Sequence, residues 1–328
     1  MKATKNDKGI QFRRRLKYLY YGIVDTWRYV WRLTCHGNCN YHSTQMRFLN
    51  IIVANYHVIE KSLTMPQFEL GHGIPRLSVL VADLLLYQQL GYDTSHIQYI
   101  SAVRAVDEYY TSHCVADYVL PEDLVQSIKQ LLSSVKYMPL SQPTTTAEQF
   151  FDASHAPFAK FALSRHSLRA YADTEISLSV LEQVVSLART TPTPCNRQPN
   201  KTYIVTSKNM IRQVACLQGG GIGFVDKADK LLVITSRVDV FGSHEIYEVW
   251  KSGGMYAMNL LYALHYHSIG ACPLEWNGRD PKDKQLRTLL HIPQNEEIIM
   301  ILSIGYPLAQ FKYVASARND VKESMIVI

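Results

Sequence analysis

The stretch between residues 164 and 199 has three parts that differ in composition. It begins with the cationic segment Ser164-Arg165-His166-Ser167-Leu168-Arg169 and ends with the loop Pro192-Thr193-Pro194-Cys195-Asn196-Arg197-Gln198-Pro199. Between them, apolar residues recur at mostly helical spacing, which predicts an amphipathic helix. If the cationic segment is also helical, Arg165 and Arg169 share a face. A cationic segment, a helix and a polar loop in this order are suited to an anionic, planar ligand.

Downstream of this stretch, short apolar runs alternate with helical patterns. The run Leu231-Leu232-Val233-Ile234-Thr235 is apolar without alternation, as expected for a buried strand. The predicted helices are Leu178–Arg189, Asn209–Cys216, Met255–His267 and Asp280–Leu290. The predicted strands are Lys201–Ser207, Leu231–Thr235, Ala271–Leu274 and Ile298–Ile304. Strands separated by helices predict an α+β fold, arranged as an α/β sandwich.

The first half of the chain shows helical periodicity instead. Helices are predicted around Leu49–Ile59, Leu77–Gln88, Ile97–Tyr110 and Leu120–Val135. The segment Pro139–Thr146 is rich in Pro, Ser and Thr and is typical of a linker. The expected organisation is an arm at 1–40, a helical region at 41–138, a linker at 139–147 and an α+β domain at 148–328.

The arm carries most of the positive charge. Residues 1–50 contain ten Lys or Arg and two acids, and the bases are interleaved with Trp, Tyr and Phe. Such a segment is expected either to dock its aromatics on the domain behind it or to contact an anionic membrane or partner surface. A nucleic-acid partner is not expected, because no recognition motif accompanies the charge.

Other motifs in the chain are weak. The stretch from Cys35 to His42 has Cys-x3-Cys-x2-His spacing, but no second ligand pair follows, so no metal site is expected. His57 and Glu60 are three positions apart and are expected to form a local hydrogen bond rather than a catalytic pair. The loop Gly219–Gly223 allows a ligand to approach its backbone, but it lacks the dinucleotide-binding fingerprint. Six scattered cysteines and the absence of a long apolar run predict a reduced, cytoplasmic protein, with the arm a candidate for membrane-surface contact.

Four motifs in order resemble the FMN-dependent nitroreductase family. They are Arg165–Arg169, the loop Pro194–Pro199 before a strand, Gly270-Ala271-Cys272-Pro273-Leu274-Glu275, and Ile304-Gly305-Tyr306-Pro307. The resemblance covers roughly residues 150–320 and implies a nitroreductase-like FMN-binding fold with a helical N-terminal region. It also implies a homodimer with two FMN sites at its interface.

The resemblance assigns the flavin site residue by residue. The implied cofactor-binding residues are Arg165, His166, Ser167, Arg169, Pro194, Cys195, Asn196, Gln198, Pro273, Leu274, Glu275 and Arg318. Arg165, Ser167 and Arg318 would hold the phosphate and ribityl chain, and Arg169 would face the pyrimidine edge. Pro194, Cys195 and Asn196 would come from the partner subunit. Cys195 is either a small residue in a tight turn or a redox thiol.

The activity implied is ping-pong hydride transfer from NADH or NADPH through FMN to a small acceptor of nitro, quinone or specialised type. No catalytic side chain is expected, because the flavin performs the chemistry. The alternative is a flavin-fold protein without turnover that acts as a regulatory partner in envelope polysaccharide synthesis.

Overall fold

The computed structural model describes residues 5–36 and 41–328. The chain divides into two compact units. The sheet unit comprises residues 1–37 and 146–309, and the helical unit comprises residues 38–145 and 310–328.

The helices and strands follow one another along the chain as follows. The helices are α1 (Lys5–His36), α2 (Gln45–Leu63), α3 (Ile74–Gln89), α4 (Ile97–Val115), α5 (Glu122–Ser134), α6 (Ala147–Phe150), α7 (Phe158–Ser164), α8 (Leu178–Ala188), α9 (Lys208–Gln218), α10 (Glu248–Tyr266) and α11 (Lys282–Leu290). The strands are β1 (Thr144–Thr146), β2 (Asn200–Val205), β3 (Lys230–Arg237), β4 (Gly270–Glu275), β5 (Glu296–Gly305) and β6 (Gln310–Lys312).

The sheet unit is built on a four-stranded sheet in the order β2-β3-β5-β4. Each neighbouring pair is antiparallel. β3 lies inside the sheet and is buried along nearly its whole length, which explains its unbroken apolar run. β2 and β4 are the two edge strands, so the segments next to them lie at opposite edges of the sheet.

Helices α8 and α10 cover the sheet. Leu181 and Val184 of α8 and Leu260 and Leu264 of α10 are buried in one cluster with sheet residues such as Leu302. α10 begins seven residues earlier than the sequence predicts, at Glu248 rather than Met255. The α+β fold and the predicted strands and helices of this unit are confirmed.

The arm contains a regular helix, which the sequence analysis did not predict. α1 is 32 residues long and belongs to the sheet unit. The Tyr18 hydroxyl donates to the Phe241 carbonyl at 2.9 Å, and the Tyr247 hydroxyl donates to the Asp25 carbonyl at 2.8 Å. α1 therefore contacts the unit through one side of the helix.

The helical unit has a core of its own. α2, α3, α4 and α5 bury a set of large side chains, among which the rings of Tyr87 and Tyr99 stack with their centroids 5.0 Å apart. No helix among residues 5–36 and 41–328 is long and apolar enough to cross a membrane.

The C-terminal tail joins this helical unit, whereas the sequence analysis placed it in the α+β domain. The backbone N–H of Tyr313 donates to the Pro143 carbonyl at 3.1 Å. The Ala315 N–H donates to the Gln142 side chain at 3.0 Å, and Gln98 donates to Asn319 at 2.6 Å. These hydrogen bonds tie residues 310–328 to α4 and to the segment before β1, so the tail departs from the expected range of 148–328.

Candidate functional site

The cationic segment Arg165–Arg169 is extended. α7 ends at Ser164, and Arg165 already has an extended backbone conformation (φ −73°, ψ 114°). Ser167 forms a parallel bridge with Ala271 of β4, and the Leu168 N–H donates to the Ala271 carbonyl at 3.0 Å. Arg165 and His166 border one small cavity beside His265, whereas the guanidinium of Arg169 lies against Phe224, so the helical face expected for Arg165 and Arg169 is not formed.

Two glycines make room for this segment. A Cβ added at Gly270 would come within 2.0 Å of Leu168 Cδ2, and one added at Gly305 would come within 2.6 Å of Tyr171 Cδ1. Leu168 is fully buried, and the Tyr171 hydroxyl lies 2.9 Å from the Leu168 carbonyl and 2.8 Å from Ser303 Oγ. Gly270 and Gly305, which belong to two of the sequence motifs, therefore let Leu168 and Tyr171 pack closely against the sheet. This packing holds the segment that contains Arg165, Ser167 and Arg169 in place.

Arg169 has a donor that the described residues do not satisfy. Its Nε atom is buried and has no hydrogen-bond partner in the described part of the chain. Its guanidinium carbon lies 5.9 Å from the centroid of the Phe224 ring. A buried charged donor without an acceptor is costly, and such a group indicates a bound ligand or water.

The loop Gly219–Gly223 borders the same site. α9 ends at Gln218 and is capped by Gly219, whose φ is +77°. The Gln218 side chain accepts a hydrogen bond from the Gly220 N–H at 2.7 Å and donates one to the Glu275 carbonyl at 2.9 Å. These hydrogen bonds attach the loop to the end of β4. Phe224, which follows the loop, lies beside the Arg169 guanidinium.

A serine and a histidine hold the start of the cationic segment. The Ser164 hydroxyl donates to the Phe161 carbonyl at 3.0 Å and lies 2.8 Å from Nε2 of His265. The direction of the hydrogen bond between Oγ and Nε2 depends on the tautomer of His265. Burial, followed by the nearby Arg165 and His166, lowers the pKa of His265 to about 4, so this imidazole is neutral at physiological pH.

The proline-rich loop has an unusual backbone. Cys195, Asn196 and Gln198 have φ values of 52°, 54° and 47°, a left-handed conformation that is uncommon outside glycine. Arg197 holds the loop in place with two hydrogen bonds to Glu245, at 2.8 and 2.6 Å. The hydrogen bonds from Arg197 lower the pKa of Glu245 to about 2. Cys195, Asn196 and Gln198 are exposed.

The loop lies at the β2 edge of the sheet, whereas Arg165–Arg169 lies at the β4 edge. Beside the loop is a cavity of about 450 Å³, lined by groups that include Thr193, Tyr203 and Tyr256. Neighbouring strands are about 4.8 Å apart, so an edge-to-edge distance across four strands is roughly 14 Å.

The structure therefore brings together part of the predicted site. Arg165, His166, Ser167 and Arg169 lie beside the strand that contains Pro273, Leu274 and Glu275. Pro194, Cys195, Asn196 and Gln198 form a separate group at the other edge. Arg318 belongs to the helical unit, where its Nη1 donates to the Ser316 carbonyl at 3.0 Å, and its contact with a flavin stays a prediction.

Sequence reasoning missed Gln218 and Phe224. Both flank the Gly219–Gly223 loop, and the only sequence signal was the glycine run itself.

Two other motifs of the sequence, the His57/Glu60 pair and the Cys35–His42 stretch, are not part of the candidate site. His57 Nδ1 lies 3.4 Å from Glu60 Oε2, which confirms the local pair. Part of the Cys35–His42 stretch, residues 37–40, lies outside the described residues. The described residues contain no cluster of three or more His, Cys, Asp or Glu side chains placed to hold a metal ion.

Comparisons with known proteins agree with these motifs. Residues 162–232 and 223–306 match the model of the Nitroreductase family. A protein of Archaeoglobus fulgidus named "Putative NADH dehydrogenase/NAD(P)H nitroreductase" is 29% identical over 149 residues, which cover 45% of this chain and 84% of that protein.

Solved structures show the same partial coverage. The FMN-dependent nitroreductase of Clostridium difficile R20291 is 22% identical and has a TM-score of 0.44, covering 51% of this chain and 96% of its own. A Nitroreductase Family Protein of Streptococcus pneumoniae TIGR4 is 18% identical with a TM-score of 0.44, covering 52% and 100%.

Residues 162–306 thus match the Nitroreductase family model, which confirms the resemblance found in the sequence. The family match lies within the sheet unit and leaves the helical unit unmatched.

Proposed function

We propose that the protein is an FMN-dependent oxidoreductase that uses NADH or NADPH to reduce a small acceptor. The observation that carries this proposal is the buried, unsatisfied Nε of Arg169. Arg169 follows Ser167, which bridges Ala271 of the edge strand β4, so it lies beside that strand. A flavin presents a phosphate and a pyrimidine edge with carbonyl acceptors, and these residues fit both.

The chain's own residues would bind and orient the cofactor. Arg165 and Ser167 would hold the phosphate and ribityl chain, since guanidinium and hydroxyl groups are good phosphate donors. Arg169 would donate to the pyrimidine edge and stabilise negative charge there. Pro273, Leu274 and Glu275 would border the ring with backbone groups, while Gln218 fixes the end of that strand through the Glu275 carbonyl. When bound, FMN would supply the hydride transfer, in two half-reactions that share one site.

A second copy of the chain would complete each site. The proline-rich loop and the cationic segment of one chain lie at opposite edges of one sheet. A single flavin contacts both groups most simply if one comes from each subunit of a homodimer. Exposure of Cys195, Asn196 and Gln198 in the single chain supports this arrangement.

The purified protein provides the direct test. We expect it to bind FMN, to show a yellow flavin spectrum, and to lose that colour when NADH or NADPH is added without oxygen. A protein that remains colourless after incubation with FMN would contradict the proposal. A yellow protein that neither donor reduces would favour the non-catalytic alternative.

The role of Arg169 has a sharper test. Arg169→Ala should weaken FMN binding by about 1.5–3 kcal/mol, the range for hydrogen bonds to charged groups. Fluorescence titration of the apoprotein with FMN measures the change, and Arg212→Ala, which alters an exposed arginine on α9, is the matched control. Equal affinities for the two variants would show that Arg169 does not hold the cofactor.

A further inference from the structure

We propose that α1 binds an anionic phospholipid surface through the side of the helix that faces away from the sheet unit. This surface is separate from the proposed flavin site. It rests on where the structure places the apolar, aromatic and basic side chains of α1.

The two sides of α1 have different surroundings. The side of Tyr18, Asp25 and Tyr29 contacts the sheet unit, where the Tyr29 and Tyr247 rings meet edge-on at 6.4 Å. On the other side an apolar stripe recurs every three or four residues, consisting of Phe12, Leu16, Leu19, Ile23, Trp27 and Val30. Its members are exposed, with 60% of Ile23 and 66% of Trp27 accessible.

This exposed stripe is large for a soluble protein. Six neighbouring apolar side chains, with Tyr20 and Trp31 at 64% and 59% exposure beside them, form a continuous apolar surface along about five turns of helix. Surfaces of this kind mark binding sites for a membrane or a protein partner.

The basic residues of α1 favour an anionic membrane over a second copy of the same helix. Between Ile10 and His36, α1 has six exposed Lys and Arg residues, namely Arg13, Arg14, Arg15, Lys17, Arg28 and Arg32. At 3.6 residues per turn, Arg13 and Arg15 flank the apolar stripe. Arg28 pairs with Asp25 at 4.0 Å on the side that contacts the sheet unit. Between Ile10 and His36 the sequence has a single acid, Asp25, which lies on the side that contacts the sheet unit. A second copy of α1 would bring the same excess of arginine and would repel, whereas anionic headgroups would neutralise it. Trp and Tyr beside Arg also suit the headgroup layer.

The geometry favours lying on a surface over crossing it. The polar side of α1 stays hydrogen-bonded to the sheet unit, so only the apolar stripe is available to enter the acyl boundary. A helix in this orientation adds apolar burial to electrostatic attraction, and both contributions can be measured separately.

The test uses the full chain and sedimentation with vesicles. We expect binding to vesicles of phosphatidylglycerol and phosphatidylcholine, little binding to phosphatidylcholine alone, and release as salt is raised. The triple variant Arg13→Gln/Arg14→Gln/Arg15→Gln should weaken partitioning roughly 100-fold, since each base near an anionic surface contributes about fivefold. Ile23→Asp should weaken it about tenfold or more by removing apolar burial.

Control variants keep the proposal falsifiable. Val119→Asp changes an apolar side chain that is 90% exposed outside α1 and should leave vesicle binding unchanged. Tryptophan fluorescence should shift to shorter wavelength with anionic vesicles, and Trp27→Phe should reduce that shift. Failure of the wild-type chain to sediment at low salt would overturn the proposal. An equal loss of vesicle binding in Ile23→Asp and Val119→Asp would also overturn the proposal. So would an Ile23→Asp substitution that changes the oligomeric state of a protein that does not bind vesicles.

Discussion

Gly270 and Gly305 lack a Cβ atom, and this absence helps to position the charged side chain of Arg169. Each lies against a buried residue of the segment 168–171, at distances too short for a Cβ atom. The segment can therefore approach β4 and the end of β5 closely enough to form backbone hydrogen bonds. Arg169 is one residue from Leu168, so its position depends on that approach.

Gly270→Ala is expected to displace Leu168 and with it Arg169. We predict a loss of stability of about 1–3 kcal/mol from overpacking, and weaker FMN binding. Chemical denaturation and flavin titration measure the two effects. Gly22→Ala, where nothing lies within 4 Å, is the matched control and should leave flavin affinity intact. Wild-type FMN affinity in Gly270→Ala would argue against this coupling.

Individual site residues were predictable to different degrees. Arg165, His166, Ser167 and Arg169 stood out because four polar groups occur within five positions. Their conformation was not predictable, since backbone pairing with β4 is a long-range interaction that local periodicity does not encode. Gln218 and Phe224 carry no local signal, because their role depends on where the Gly219–Gly223 loop meets β4.

At the scale of elements, the contact between α7 and α10 depends on a neutral histidine. Ser164 and His265 join the two helices through one hydrogen bond. Burial, followed by the nearby Arg165 and His166, lowers the pKa of His265 to about 4. The unfolded chain would bind a proton at its ordinary value of about 6.5.

Stability should therefore fall as the pH drops from about 6.5 toward 4, because the unfolded state takes up the proton first. The contribution of His265 is complete above about pH 6.5 and decreases by about 3 kcal/mol across this window. We predict that His265→Gln flattens this part of the profile of unfolding free energy against pH. An unchanged slope in the variant would show that other groups cause the dependence.

The elements of the sheet unit were predictable because their apolar patterns are long and locally consistent. α1 was not predicted as a helix, although its apolar residues recur at helical spacing. The prediction for this segment rested on its basic and aromatic composition alone. The return of residues 310–328 to the helical unit had no sequence signal. Its hydrogen bonds with Pro143 and Gln142 join positions far apart in the chain.

At the scale of the whole molecule, the sheet order separates the two halves of the proposed flavin site. Co-expression of Arg169→Ala chains with Asn196→Ala chains tests whether a second copy joins them. In a mixed dimer one site carries both changes and the other carries neither. We predict that mixed dimers, isolated with two different tags, bind FMN at about half the wild-type stoichiometry while each parent variant binds weakly.

Absorbance of the bound flavin per chain gives this ratio. If both halves served a flavin of their own chain, mixing would yield only the weak binding of the parents.

If a second copy completes the site, as proposed, the order β2-β3-β5-β4 also determines how the protein responds to dilution. A cofactor held by two edges of different sheets is lost when the copies separate, even if neither chain unfolds. Flavin retention would then rise with protein concentration, and formation of the holoprotein would be an equilibrium among two chains and two flavins. In a cell, the amount of active protein would vary more steeply than the amount of chain synthesised.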